Sequence, residues 1–297
     1  YEFTFSTPNG AFPWDWIGFV GRHGSVSLNG YPNVGDTFAM SDPSAIAGAL
    51  PGDIFRIKGN GVLGMAHLTR IGLIIGSGAG AQRAWLSQGT ISEYTVAPHY
   101  VGYRVQVLGR TVTVRICDLN PQNYYSVAML QVSLSDSTGA RLLFAADLEP
   151  AMDYSSAVEL RSRGDTRVAF NSSAQAVVGT QGGALYPVYV YSNLPLQSWS
   201  GNNLSFAQYL AADTLDRQIY SGSSDGRVAI SVTAQPSQYF YVGSLVLDSA
   251  TRSDPTSAWN ALRDTRVAEM NALPTVDSLV MPRFKFVNLF SNLILTY

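Results

Sequence analysis

Residues 100–134 read YVGYRVQVLGRTVTVRICDLNPQNYYSVAMLQVSL, and this stretch decides the fold. In its middle, RTVTVRIC, Val112, Val114 and Ile116 point one way while Thr111, Thr113 and Arg115 point the other. That is the period-2 pattern of a strand with one buried face. YRVQVL before it and YYSVAMLQVSL after it repeat the habit, and Gly109 and the run Asn120-Pro121-Gln122-Asn123 supply the turns between. Back-to-back strands of this kind are a β-sandwich signature.

Working outward, further strands are expected at Ser25 to Leu28, Asp53 to Lys58, Leu68 to Ile75, Arg141 to Ala145, Arg167 to Phe170, Ala176 to Val178 and Leu185 to Tyr191. Three more follow at Arg227 to Ala234, Gln238 to Leu247 and Met281 to Leu295. Turn-forming clusters separate them, among them Ser6-Thr7-Pro8-Asn9-Gly10, Gly30-Tyr31-Pro32-Asn33 and Ser221-Gly222-Ser223-Ser224-Asp225-Gly226. A helix is predicted from Thr256 to Ala272, with Asp254 as N-cap, Pro255 at the first helical position and Pro274 beyond the end. Trp259, Leu262, Val267 and Met270 form its apolar stripe. Shorter helical pieces are read at Pro43 to Leu50 and Leu204 to Ala212, and the connections Tyr31 to Leu50 and Asn193 to Ser224 read as loop excursions. Few helices alternate with the strands, which disfavours a doubly wound parallel sheet. The expectation is an all-β fold, an antiparallel β-sandwich of jelly-roll type with long loops and a few short helices. It forms one domain over residues 1–297, and the one composition shift, NLPLQSWSGNN at 193–203, marks a candidate boundary.

At 297 residues and 46% hydrophobic positions the chain can bury a full core without staples. Charged residues make up 13%, about half the usual fraction, so much of the surface must be neutral or covered by neighbours. This favours a subunit of an assembly. Arg outnumbers Lys 17 to 2, which suits bidentate and stacking contacts between subunits and equally fits nucleotide bias in the gene. A net charge of −2 supplies no basic field for nucleic acid, so RNA contact is left open. One cysteine, Cys117, excludes an internal disulfide framework and a cysteine-based zinc site. No run of 18 apolar residues exists to span a membrane as a helix. The first residue, Tyr1, reads as the cut end of a longer precursor or as a start lying outside these residues.

Each candidate chemical motif has a structural reading beside it. Arg22-His23-Gly24 resembles the Arg-His-Gly of histidine phosphatases, yet Ser25-Val26-Ser27 follows where that motif continues with acidic or Arg residues. Pro51-Gly52-Asp53-Ile54-Phe55 with His67, and Cys117 as the available thiol, looks like a permuted papain-type hydrolase. Cys117 closes a strand, however, and does not open a helix that would lower its pKa. Asp147 and Glu149, with Asp153 nearby, have the two-residue spacing of a glycosidase carboxylate pair, and a solvated turn competes with it. His23, His67 and His99 form no His-x-His or His-x-x-x-His pair. Asn171-Ser172-Ser173 and Asn203-Leu204-Ser205 are sequons that matter only in a secreted protein. Trp14, Trp16, Trp85, Trp199 and the Tyr186, Tyr189 and Tyr191 group could stack on sugars or anchor a core. No catalytic, cofactor or metal residue is assigned, and the chain is expected not to be an enzyme.

Taken together, the Tyr start, the many short strands with Pro/Gly-rich loops, the low charge and the late strand Met281-Pro282-Arg283-Phe284-Lys285-Phe286-Val287 resemble jelly-roll capsid proteins of picorna-like positive-strand RNA viruses. The resemblance implies a structural protein of an icosahedral shell, cut from a polyprotein and located in the virion. Its partners would be copies of itself and sibling capsid proteins, with a host receptor met through the loops. The alternatives are a receptor- or glycan-binding β-domain of spike or tail type, and a permuted papain-like cysteine hydrolase resting on Cys117 and His67.

Overall fold

A computed structural model describes residues 3–6, 17–21, 24–28, 54–59, 63–97, 99–122, 125–148, 150, 165–182 and 187–271. The strands begin with β1 (Phe3–Ser6), β2 (Ile17–Gly21), β3 (Gly24–Leu28), β4 (Ile54–Gly59), β5 (Leu63–Ile75) and β6 (Gln82–Trp85). Next come β7 (Thr90–Ala97), β8 (Tyr100–Val107), β9 (Arg110–Gln122), β10 (Tyr125–Leu134) and β11 (Ala140–Leu148). After these lie β12 (Thr166–Asn171), β13 (Ala176–Gln181), β14 (Val188–Ser192), β15 (Ser198–Ser200) and helix α1 (Phe206–Ala211). The described chain closes with β16 (Arg227–Thr233), β17 (Ser237–Gly243), α2 (Ser249–Ser253) and α3 (Pro255–Asn271). The expected strand at 281–295 and helix at 43–50 fall outside the described residues.

Among these residues the strands build two antiparallel sheets. One runs β1-β7-β8-β9-β10-β17-β14-β13-β12, the other β15-β16-β11-β5-β4-β3-β2 with β6 pairing the far half of β5. The protein is thus an all-β antiparallel sandwich, with Val112, Val114, Ile116, Leu130, Val132, Phe240 and Val242 from one sheet facing Leu142, Phe144, Ala146, Val228 and Ile230 from the other. Phe144 and Phe240 stack across the middle with ring centres 5.0 Å apart. A pair of nested arches joins the two sheets. β10 passes to β11 and β16 passes to β17, each crossing between sheets, while β10 pairs β17 and β11 pairs β16. The arches are tied at one end by Leu134 N–H to the Pro236 carbonyl and Ala234 N–H to the Ala140 carbonyl, both at 3.0 Å. Hairpin meanders, β7 to β10 on one sheet and β2 to β5 on the other, widen the sandwich beyond the eight strands of a plain roll.

The outer faces are capped by the chain's own excursions. Over the sheet that holds β11, the 201–226 segment lays Phe206, Tyr209 and Leu215 on Leu68, Ile74, Trp85, Leu143, Ala145 and Ala229. Being covered on both sides, β11 is apolar without alternation, and Leu142 to Leu148 are all buried. Over the nine-stranded sheet, residues 245–262 bring Val246, Trp259 and Leu262 onto Tyr100, Cys117, Met129, Tyr191, Tyr239 and Tyr241. α3 is capped as expected, the Asp254 carboxylate accepting from Ser257 N–H at 3.1 Å and from the Ser257 hydroxyl at 2.6 Å. Its apolar stripe is shorter than expected. Val267 is 37% exposed, because beyond Leu262 the helix runs on past the sheet. Residues 193–203 cross from one sheet to the other, bonded at Asn193 to Tyr239 and at Gln197 to Ser231. No described helix is long and apolar enough to cross a membrane.

Candidate functional site

Among the described residues the cap on the nine-stranded sheet covers one end of its outer face, and the boundary can be followed along single strands. On β9 the outward side chains run Thr111, Thr113, Arg115, Cys117, then Leu119, and of these Cys117 and Leu119 lie in the covered apolar cluster. On β10 they run from the polar Ser133 and Gln131 to the buried Met129 and Val127, and on β17 from Ser237 to Tyr239 and Tyr241. Among the described residues the remaining half of the face is polar and uncovered.

Strand register sorts these side chains into rows. Glu93, Arg104, Thr113, Ser133 and Ser237 lie directly opposite one another across β7, β8, β9, β10 and β17. At about 4.8 Å between strands such a row spans roughly 19 Å. A second row holds Thr90, Gln106 and Thr111. A third holds Gly102, Arg115, Gln131 and Tyr239, where the open half meets the cap.

Hydrogen bonds fix the orientation of several of these groups. Arg104 Nη1 donates to Glu93 Oε2 at 3.0 Å and Gln106 Nε2 to Thr111 Oγ1 at 2.7 Å. Gln131 Nε2 donates to the Ser237 hydroxyl at 3.2 Å and to the Tyr239 hydroxyl at 2.9 Å, and its carbonyl oxygen accepts from Arg115 Nη1 at 3.4 Å. The Arg115 guanidinium lies 5.4 Å from the centre of the Tyr100 ring, whose other neighbours are Trp259 at 5.4 Å and His99 at 4.9 Å. A field of hydroxyls and amides therefore ends at the edge of the cap, where Tyr100 is buried between Arg115 and Trp259 and Trp259 itself is half-buried, and such a field suits a ligand with many hydroxyls. Hydroxyl and amide groups can both donate and accept, so the face sets no single polarity on what it meets.

The residues singled out from the sequence sit elsewhere. Asp147 is 4% exposed and paired with Arg227, Nε to Oδ1 at 2.6 Å and Nη2 to Oδ2 at 3.4 Å, while Glu149 and Asp153 lie outside the described residues. Burial works against the charge on Arg227, and the Asp147 carboxylate more than offsets it. Cys117 is buried on the outer side of β9 opposite Met129, and His67 belongs to β5, a strand of the other sheet. His99 packs against Tyr100 and Trp259, and His23 lies outside the described residues. Among the described residues no three His, Cys, Asp or Glu side chains gather into a metal-holding group.

Asn171 and Asn203 are turn devices. The Asn171 side chain accepts from Ala174 N–H at 3.0 Å, and Asn203, at φ 55°, accepts from Arg227 N–H at 3.2 Å. Trp85 is buried under α1, Trp199 stacks on Phe170 at 4.2 Å, Tyr191 stacks on Tyr241 at 4.8 Å and Tyr189 packs half-buried in the same cluster. Trp14, Trp16 and Tyr186 lie outside the described residues. Tyr100 is buried, and the half-buried Trp259 packed on it is the aromatic ring at the edge of the open face. Its signal in the sequence was the outward polar set on β9, whose partners on four other strands only the register supplies.

No family model and no curated protein matches the chain. Among solved structures it is similar to a protein described as a kojibiose phosphorylase from human microbiome, at TM-score 0.29 and 8% identity over 79% of this chain and 28% of that one. It is also similar to a 4-alpha-glucanotransferase from Thermococcus litoralis, at TM-score 0.30 and 10% identity over 77% of this chain and 37% of that one. The chain therefore spans about a third of the length of the structures it matches.

Proposed function

We propose that this chain is a non-catalytic β-sandwich that binds a polyhydroxylated ligand, a glycan, on the open half of its nine-stranded sheet. One observation carries the reading: the row Glu93, Arg104, Thr113, Ser133, Ser237 lies on the open half of the sheet, which the half-buried Trp259 borders beyond the buried Tyr100. Sugars present hydroxyls edge-on and C–H groups on their ring faces, so they match an amide and hydroxyl floor with an aromatic border. The strands beneath are rigid and buried on their inner side, so little ordering is lost on binding. Other charged side chains serve as staples: Arg252 donates to the carbonyls of Ala174 and Ser192, Arg83 pairs with Asp213, and Arg227 pairs with Asp147. The test is an array of neutral and acidic glycans probed with the purified chain. Saturable retention that is lost when Thr113 and Ser133 are both changed to bulky Arg supports the reading, and retention of no glycan at all overturns it.

A second reading, the subunit of a viral shell, is favoured by the low charged fraction of 13% and by the distal part of α3, which leaves the sheet with Val267 uncovered. Against it stands the character of the described exterior. Tyr220 and Val267 are its exposed large hydrophobic side chains, whereas obligate interfaces are rich in apolar area. Electron microscopy of the purified chain separates the two: closed spheres establish the shell, and discrete particles of one or a few chains remove it.

A further inference from the structure

We propose that Arg115 makes this open face selective for glycans that carry a carboxylate, its guanidinium forming the anion seat; the inference rests on the glycan reading above. Three charged side chains of the described chain stand on the rows of the open face, namely Glu93, Arg104 and Arg115. Glu93 and Arg104 neutralise one another at 3.0 Å. Arg115 has a different environment. Its described partners are the Gln131 amide oxygen, at 3.4 Å, and the face of the Tyr100 ring, both without charge. Among the described residues the half-buried guanidinium is thus the local excess of positive charge, on a protein whose overall charge is −2.

The backbone beneath fixes where that charge sits. Gly102 is directly opposite Arg115, and a Cβ there would come within 3.2 Å of Arg115 Cγ and 2.5 Å of the Val114 carbonyl oxygen. Without that Cβ the arginine stem lies flat across β8 and carries the guanidinium onto Tyr100, one ring away from Trp259. A planar, two-pronged cation beside rows of hydroxyls and amides fits a ring that bears both hydroxyls and a carboxylate, whether a uronic or a sialic acid. Gln131, held by Ser237 and Tyr239, keeps the guanidinium from swinging away.

The test compares matched glycans, each carboxylated member paired with its neutral counterpart, by titration calorimetry on the whole chain. The carboxylated members are expected to bind about tenfold tighter, as a charge-assisted hydrogen bond would provide. That preference should vanish in Arg115→Gln and shrink in the unchanged protein as sodium chloride is raised from about 0.05 to 0.5 M. Equal affinity for both members overturns the inference while leaving the glycan reading standing, as does a preference that survives Arg115→Gln or is indifferent to salt. Should neither member of any pair bind, the glycan reading itself fails and the inference with it. The salt series on the unsubstituted chain keeps the test decisive if Arg115→Gln does not fold.

Discussion

Arg227 stands directly across from Asp147 in the β11–β16 pair and closes a two-pronged ion pair on it, with the carboxylate 5% and the guanidinium 18% exposed. Phe206 of α1 lies over the same guanidinium at 5.0 Å, and Arg70 approaches that ring at the same distance. The pair therefore fastens the 201–226 excursion to the sheet. Removing one partner strands a poorly hydrated charge, so Asp147→Asn is expected to cost about 3 kcal/mol in denaturant unfolding. Replacing both, as Asp147→Leu with Arg227→Met, should recover much of the loss. Glycan retention should follow the folded fraction and nothing more, since both residues lie on the opposite sheet from the open face.

The open face can be altered without disturbing the core. Thr113 and Ser133 are cross-strand neighbours whose side chains have no described hydrogen bond, and their strands are held by Val112, Val114, Leu130 and Val132 beneath. Thr113→Ala with Ser133→Ala should shift unfolding free energy by no more than about 0.5 kcal/mol per site. Retention on a glycan array should nonetheless fall. A thermal melt alongside the array separates loss of the face from loss of the fold.

How far the sequence foretold this arrangement can be judged from single strands. The alternation of Val112, Val114 and Ile116 with Thr111, Thr113 and Arg115 placed β9 and both its faces correctly. β7 escaped notice because TISEYTVA changes phase: a bulge between Ile91 and Glu93 shifts which residues face the core. β15 is three residues long, too short for any period. β17 stops at Gly243 although apolar residues continue to Leu247, because the chain turns there to cover the sheet, Leu247 N–H donating to the Tyr191 hydroxyl at 3.1 Å. The binding face was hidden for a related reason. Its rows join residues as distant in the chain as Glu93 and Ser237, and a one-residue slip in any pairing would have turned a row inward.

Two stacked tyrosines beneath the cap offer an internal contrast. The Tyr191 hydroxyl donates to the Leu245 carbonyl at 3.3 Å and accepts from Leu247 N–H, whereas the equally buried Tyr241 hydroxyl has no hydrogen-bond partner among the described residues. Burial pushes both phenols above their ordinary value, so neither ionises near neutrality. Tyr191→Phe is expected to cost about 1 kcal/mol and to loosen residues 245–247, while Tyr241→Phe should be neutral or mildly stabilising. Urea titrations of the two single variants check the order, and a larger loss in Tyr241→Phe would contradict it.

Acid should release the helical cap before it melts the sandwich. Asp248 accepts from Thr251 N–H at 2.9 Å at the start of α2, and Asp254 does the same for Ser257 at the start of α3. Hydrogen bonds to Thr251 and Ser257 respectively hold the two carboxyls below their ordinary value of 3.8. A carboxyl depressed in the folded state releases its proton more readily there than in the unfolded chain. Its contribution is therefore complete above the ordinary value and is lost as the pH falls through the lower, folded one. Asn keeps the capping oxygen but does not titrate, so Asp248→Asn with Asp254→Asn should flatten the acid limb of stability below the ordinary carboxyl value of 3.8 and leave pH 7 nearly unchanged. Trp259, packed on Tyr100 and His99, reports the event directly. Its fluorescence should change with acid in the unsubstituted chain at a higher pH than the loss of β-sheet circular dichroism, and coincident transitions would show that the cap and the sheets unfold as one.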